Sequence, residues 1–157
     1  MKKIIGLMLL IPFLLISTNV HSQSDNIFEI TVDKPMKQVY SNMMASLDKS
    51  RFYLFYEMDI GKNLAFFADE WGDEYNQNEL SGVRSIVFCN GWFLNRAGNK
   101  DQKILGLCPM HVSLIEKKGV TTALFVRPTI TYNNSPAHDV VVEIEKEVIE
   151  MIKNGMR

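Results

Sequence analysis

Two long segments carry apolar residues on one side only, at the spacing of an α-helix, and they restrict the fold more than any other feature. The first segment holds Met36, Val39, Tyr40, Met43 and Leu47, and the second holds Val141, Ile144, Val148, Met151 and Ile152. Each such helix must bury its apolar side against another layer, and the residues between the two segments have strand character. The sequence therefore predicts an α+β two-layer sandwich, in which two long helices pack on one face of an antiparallel sheet.

Short stretches with alternating apolar residues, or rich in β-branched and aromatic residues, predict the strands of that sheet. They lie at residues 27–32, 52–58, 83–88, 112–115 and 120–126. The last two flank a four-residue connection ending in Gly119, which is typical of a hairpin. Residues 90–107 are predicted to be a long, mostly polar connection, and Gly155 is predicted to cap the last helix. No repeat or linker divides the chain, so we expect a single domain over residues 23–157.

The first 22 residues have the layout of a secretory signal peptide. Lys2 and Lys3 precede an apolar run over residues 4–16, and Val20 and Ser22 are placed as in a cleavage site before residue 23. An uncleaved anchor is the alternative, but a helix of this run reaches about 20 Å, short of a bilayer core of roughly 30 Å. We therefore expect a periplasmic or secreted protein, with no stable membrane insertion once the leader is removed.

Charge and composition exclude several classes of protein. The chain has 17 basic and 18 acidic residues, and loss of the two leader lysines leaves 15 against 18. This balance gives no basic surface for nucleic acid, and 10% aromatic residues argue against disorder. The sequence has no glycine-rich nucleotide loop, no nucleophile elbow and no recognisable pair of catalytic carboxylates. It therefore predicts a globular domain that binds no nucleic acid, and it leaves open whether the domain is an enzyme.

Cys89 and Cys108 are the two cysteines of the chain, and each lies at an end of a predicted strand. Two thiols tend to pair in an oxidising compartment, so a structural disulfide is one interpretation. A second is a soft-metal or haem site at Cys89, Cys108 and His111, because thiolate and imidazole suit copper and zinc. That site requires a turn at Pro109, since Cys108 and His111 would otherwise point to opposite faces of a strand. A third is a catalytic or redox thiol at Cys108, activated by His111.

Four other polar residues are candidate ligand-binding residues. Asn90 and Asn95 lie beside Cys89 and could contact the same site, although an asparagine at a strand end usually satisfies a turn. Arg127 comes late in an apolar strand, where a cation needs an acidic partner or an anionic ligand. Asp59 is the predicted partner of Arg127.

Four short motifs also resemble those of a known family. They are Asp59-Ile60-Gly61, Val87-Phe88-Cys89-Asn90, Leu107-Cys108-Pro109-Met110-His111 and Phe125-Val126-Arg127-Pro128. Their order and spacing resemble the domain of unknown function 302 family, and more narrowly its exported branch with a Cys-Pro-x-His segment. The resemblance covers about residues 27–151 and implies a β-α-β(4)-α sandwich of the TATA-binding-protein-like class that forms a homodimer. The usual family pattern has glycine and leucine where this chain has Cys89 and Cys108, and the family implies no activity.

Together these observations predict an exported domain that binds a small ligand, a soft metal or haem near Cys89, Cys108 and His111. The cofactor would be copper, zinc or haem, and the expected partner is a second copy of the chain. Two alternatives stay open. One is a thiol-based redox or sulfur-handling enzyme that uses Cys108, and the other is a structural module held by a Cys89–Cys108 disulfide.

Overall fold

The structure, a computed structural model, describes residues 26–157. The predicted signal peptide at residues 1–22 lies outside these residues. The elements are β1 (Ile27–Val32), α1 (Met36–Asp48), β2 (Tyr53–Asp59), α2 (Ile60–Ala65), α3 (Ala68–Trp71), β3 (Gly82–Cys89), α4 (Gly91–Lys100), β4 (Met110–Lys117), β5 (Val120–Val126), α5 (Pro128–Thr131) and α6 (His138–Met156). Two 3₁₀ helices, Gly72–Glu74 and Gln102–Leu107, follow α3 and α4.

The five strands form one antiparallel sheet in the order β1-β5-β4-β3-β2. With α1 between the first two strands and α6 after the last, the arrangement confirms the predicted β-α-β(4)-α sandwich. The predicted hairpin joins β4 to β5 through Lys118 and Gly119, whose φ angles are 53° and 80°. Positive φ at both central residues is the geometry of a two-residue hairpin turn that matches the twist of the strands, and glycine adopts it without strain.

The main core lies between the sheet and the two long helices, as the apolar stripes predict. On α1 the residues Met36, Val39, Met43 and Leu47 are buried, and on α6 the residues Val141, Ile144, Val148, Met151 and Ile152 are buried. The two helices also pack against each other. This packing removes apolar surface from water on both helices and so stabilises the fold.

The predicted helix cap at Gly155 is wrong, because α6 continues to Met156 and Gly155 is buried inside it. A Cβ atom added at Gly155 would lie 2.8 Å from the Cα atom of Met43 on α1. Glycine at this position therefore allows close approach of the two helix backbones, and does not mark the end of the helix.

The predicted polar connection over residues 90–107 is also wrong. It folds into α4 and a 3₁₀ helix, whose apolar residues Phe93, Ala97 and Ile104 are buried in the main core. Phe93 and Ala97 lie one turn apart and form a short apolar stripe among polar residues. Most residues of this segment are polar and face solvent. Their number made the short apolar stripe hard to recognise in the sequence.

The second face of the sheet turns away from α1 and α6 and carries apolar side chains. Tyr56 on β2 lies opposite Val87 on β3, and Val87 lies opposite His111 on β4. The neighbours of Val87 along the strand, Ile86 and Phe88, are buried in the core, so alternation places this row on the outer face. Tyr56 is 59% exposed, and the edge strand β2 is exposed along almost its whole length.

Candidate functional site

Cys89 and Cys108 form a disulfide that joins the end of β3 to the residue before Pro109, with 5.8 Å between the two Cα atoms. Cys89 is buried and Cys108 is half-buried. Of the three interpretations of the two cysteines, the structure agrees with the disulfide. Apolar residues pack around the bond, among them Phe52, Phe93 and Ile104, and the space left beside it is about 10 Å³. Such a space holds at most a single water molecule.

His111 belongs to the neighbouring strand β4 and is exposed, whereas Met110 beside it is buried. Successive side chains of a strand point to opposite faces, so His111 lies on the outer face of the sheet. Among residues 26–157, no three or more His, Cys, Asp or Glu side chains are grouped so that they could hold a metal ion. A disulfide also leaves neither sulfur as a thiolate, which is the form that binds soft metals or acts as a nucleophile. The metal and thiol hypotheses therefore stay predictions about the reduced protein.

Asn90 follows Cys89 and shapes the local backbone. Its Oδ1 atom accepts a hydrogen bond from the backbone N–H of Phe93 at 2.9 Å, and its side-chain amide donates to the carbonyl oxygen of Arg51. Asn90 is therefore the N-cap of α4 and ties that helix to the start of β2. Asn95 lies on the exposed side of α4. Neither asparagine contributes to a cavity large enough for a ligand beside the disulfide.

Arg127 pairs with Glu145 of α6, with 2.9 Å between its Nε atom and Oε1 of Glu145. The prediction that Asp59 pairs with Arg127 is wrong. Thr129 donates two hydrogen bonds to Oε2 of Glu145, from its backbone N–H at 3.0 Å and from its hydroxyl at 2.5 Å. Burial opposes ionisation of Glu145, but the bonds from Thr129 and Arg127 outweigh it, and the pKa of Glu145 lies below its ordinary value. This cluster fastens α6 to the end of β5.

Asp59 instead forms an ion pair with Arg84 on the neighbouring strand, with 3.3 Å between Oδ2 and Nη2. Its other oxygen accepts a hydrogen bond from the backbone N–H of Lys62 at 2.9 Å, so Asp59 also caps α2. The guanidinium of Arg84 lies over the ring of Tyr40 on α1, 4.9 Å from its centroid. Tyr40 in turn donates a hydrogen bond to Glu57 on β2. Side chains from α1, β2 and β3 thus converge near the point where β2 passes into α2.

A cavity of about 940 Å³ opens beside this cluster, between the start of α1, the adjoining ends of β2 and β3, and the segment of α2 and α3. Tyr40, Trp71 and Tyr75 supply aromatic surface to its wall, and Leu64 and Val83 supply aliphatic surface. Charged side chains of both signs also line it, namely Lys37, Asp59, Lys62, Glu74, Arg84 and Glu116. It is by far larger than the space beside the disulfide.

Of the candidate metal-binding and ligand-binding residues that the sequence predicted, only Asp59 lines this cavity. Arg84 was missed, although it carries a recognisable signal. It alternates along β3 with Ile86 and Phe88, which are both buried in the core, so a charged residue occupies a position on the inner face of the sheet. A charge at such a position needs a partner or a ligand.

Comparison with known proteins agrees with the fold. The family model described as Domain of unknown function DUF302 matches residues 28–155. The chain belongs to this family. A crystal structure of an uncharacterized conserved DUF302 protein from Bacillus stearothermophilus is similar to the chain, with a TM-score of 0.71 and 17% sequence identity over 85% of this chain and all of the other. At that identity, the likeness to the Bacillus protein concerns the fold alone.

The curated proteins contain no significant match to this member of the DUF302 family. Within residues 26–157, no helix combines the length and the apolar character needed to cross a bilayer. The family assignment predicted from the four motifs is confirmed. That the chain belongs to an exported branch of the family stays a prediction.

Proposed function

We propose that this DUF302 domain is exported and binds a small organic ligand in the cavity beside Asp59 and Arg84. The observation that carries the proposal is the cavity itself, about 940 Å³ in volume, with an ion pair among aromatic side chains in its wall. Ligand sites in proteins are typically concave, about 300–1,000 Å³ in volume, and lined by apolar surface with a few polar groups that orient the ligand. The cavity has each of these properties.

The chemistry of Arg84 supports a binding role. A guanidinium has five N–H donors, and among the described residues the side chain of Arg84 donates a hydrogen bond to Asp59 alone, through a single nitrogen. Asp59 has both oxygens engaged, one by Arg84 and one by the backbone of Lys62. Asp59 is therefore fixed by two partners, while the other N–H groups of Arg84 are available to hydrogen-bond a ligand.

For the disulfide we propose a structural role. Cys89 is only 4% exposed, the surrounding side chains leave almost no space, and the bond joins the two ends of the segment that contains α4. This proposal agrees with export, because disulfides persist in oxidising compartments such as the periplasm. The charged start and apolar run of the first 22 residues support the same location.

Ligand binding in the cavity can be tested with two substitutions of the same kind. Ala65 and Ala45 are both exposed, but Ala65 lines the cavity and Ala45 lines a groove between α1 and α6. Ala65→Trp places an indole ring in the wall of the cavity and obstructs part of it, and Ala45→Trp is the matched control. We expect fragments detected by saturation-transfer NMR to bind the wild-type protein and Ala45→Trp, and to lose binding in Ala65→Trp.

Two outcomes would contradict the proposal. One is that no fragment binds the oxidised wild-type protein at millimolar concentration. The other is that bound fragments are retained in Ala65→Trp. Circular dichroism of both variants checks that the fold is unchanged.

We also propose that the protein is a homodimer that buries the outer face of the sheet at β2. The edge strand β2 exposes Tyr53, Phe55 and Tyr56, each by more than half of its surface. Several exposed aromatic side chains on one surface favour association, and a second copy of the chain presents the same surface. The cavity lies on the inner side of β2 and β3, so dimerisation leaves it open.

Light scattering after gel filtration tests this second proposal. Tyr56→Glu places a charge in the proposed interface, and Val142→Glu places one on an exposed apolar residue of α6 as a control. We expect a mass of two chains for the wild-type protein and for Val142→Glu, and of one chain for Tyr56→Glu. A wild-type protein that is monomeric at micromolar concentration would overturn the proposal.

A further inference from the structure

The geometry of the cavity points to the chemical class of its ligand: we infer that it is an aromatic compound with one carboxylate, whose acid group binds Arg84. This inference rests on the proposed function of the cavity. It follows from the balance of charge around the cavity, from the position of the guanidinium and from the aromatic side chains of the wall.

The cavity has as many acidic as basic side chains in its wall. Lys37, Lys62 and Arg84 are basic, and Asp59, Glu74 and Glu116 are acidic. Two of the three carboxylates are already engaged. Asp59 binds Arg84 and the backbone of Lys62, and Glu116 accepts a hydrogen bond from the backbone N–H of Met36 at 3.0 Å. Asp59 therefore has no oxygen left for a cationic ligand, whereas Glu74 and one oxygen of Glu116 accept no hydrogen bond among the described residues.

The basic side chains have more capacity to bind. Among the described residues, the side chains of Lys37 and Lys62 form no hydrogen bond or ion pair, and Arg84 uses one nitrogen for Asp59. A planar guanidinium binds a carboxylate through two parallel N–H donors, in a fork that a lysine cannot offer. Arg84 is therefore the group that would orient the acid, and Lys37 and Lys62 add positive charge to the wall of the cavity.

The neighbouring carboxylates limit the charge that the ligand can carry. Asp59 lies 3.3 Å from the guanidinium and neutralises part of its charge, and Glu74 and Glu116 add negative charge to the wall. A doubly charged phosphate would be repelled more strongly by these groups than a singly charged acid. The electrostatics therefore favour a monoanion over a phosphate ester.

The aromatic part of the ligand follows from the aromatic side chains in the wall of the cavity. Tyr40 lies directly under the guanidinium, and Trp71 and Tyr75 line the same cavity. Trp71 is held by stacking on Phe67, with 5.1 Å between ring centroids and 15° between ring planes, and 40% of Trp71 remains exposed. Aromatic side chains that are already fixed favour a planar ring over a flexible chain, because an offset stack adds to the burial of apolar area.

The experiment compares three probes on the oxidised wild-type protein by titration calorimetry. They are 2-naphthoate, its neutral amide 2-naphthamide, and octanoate as an aliphatic acid. We expect 2-naphthoate to bind at least about tenfold more tightly than either of the others, since a charge-assisted bidentate contact is lost in the amide and ring stacking in octanoate. Arg84→Gln should remove the preference for the acid over the amide.

The outcomes separate this inference from the proposed function. If 2-naphthamide binds as tightly as 2-naphthoate, and both are lost in Ala65→Trp, the cavity is a ligand site but the inferred class is wrong. If octanoate binds as tightly as 2-naphthoate, the ligand still needs a carboxylate, but the inference that it is aromatic is wrong. If neither naphthalene compound binds at millimolar concentration, the inferred class is overturned, and the fragment screen decides separately on the proposed function. The ratio of the two wild-type affinities needs no variant, so it decides the inference even where Arg84→Gln is unstable.

Discussion

Removing the disulfide tests its structural role most directly, and the expected loss of stability can be worked out from its place in the chain. The bond joins residues that are 19 positions apart. In the chain-entropy treatment, opening a loop of that length lowers the free energy of unfolding by about 3 kcal/mol. In a domain of this size, such a loss lowers the melting temperature by about 10 °C.

If the two cysteines are bonded, replacing either one should cause the same loss of stability. We expect Cys89→Ala, Cys108→Ala and the double variant to have similar unfolding midpoints in urea, each well below that of the oxidised wild-type protein. Because each single variant already removes the bond, the double variant should cost far less than the sum of the two single losses. Added reductant should lower the wild-type midpoint toward that of the variants and leave the variants unchanged.

Three results would refute this reasoning. The first is equal midpoints for the wild-type protein and all variants, and the second is two free thiols in protein purified without reductant. The third is copper, zinc or iron bound in stoichiometric amount, detected by elemental analysis together with free thiols. That result would favour the metal site at Cys89, Cys108 and His111 over the disulfide.

The remaining predictions concern three buried contacts. Gly155→Ala should lower stability by about 1–3 kcal/mol in urea unfolding, because the new Cβ atom would lie 2.8 Å from the Cα atom of Met43; an unchanged midpoint would show that the helices move apart freely. Glu145→Gln should cost about 1–3 kcal/mol near neutral pH, because it replaces an ionised hydrogen-bond acceptor. Because the pKa of Glu145 is lowered in the folded protein, the wild-type protein should exceed Glu145→Gln in stability by the full amount above about pH 4.5. This stability difference should disappear as the pH falls through the folded pKa of Glu145. A stability difference that does not depend on pH would contradict the assignment. Asn90→Ala should cost about 1–2 kcal/mol through loss of the α4 cap, and Asn90→Asp, which keeps the acceptor, should cost less; equal losses would place the effect elsewhere.

The long elements of this fold were predictable because their residues repeat one pattern over several turns or strand positions. The stripes of α1 and α6 each extend over three turns or more, and the strand at Ile27–Val32 was predicted with its observed limits. The helix α4 was not predicted, because its buried stripe consists of only Phe93 and Ala97. The end of α6 was misplaced, because glycine serves two purposes in helices and only the packing of a second helix tells them apart.

The candidate site was less predictable, since it depends on which side chains the sheet brings together. The proximity of Cys89 and Cys108 could be anticipated, because each lies close to a predicted strand, but a disulfide was only one of three interpretations. The partner of Asp59 could not, because it depends on the register of β2 against β3, which sets Asp59 directly opposite Arg84. The cavity depends in addition on where the segment of α2 and α3 folds back. No local pattern in the sequence specifies that.

The placement of the disulfide has a consequence for how the domain opens. The bond lies at one end of β3, and Arg84 lies five residues away toward the other end, about 17 Å along the strand. A covalent link suppresses fraying where it is placed, so backbone amides near Cys89 should show high protection against hydrogen exchange, and those near Asp59 and Arg84 should exchange sooner. Local opening of the sheet near Asp59 and Arg84 then admits a molecule to the cavity, while the core between α1 and α6 stays packed.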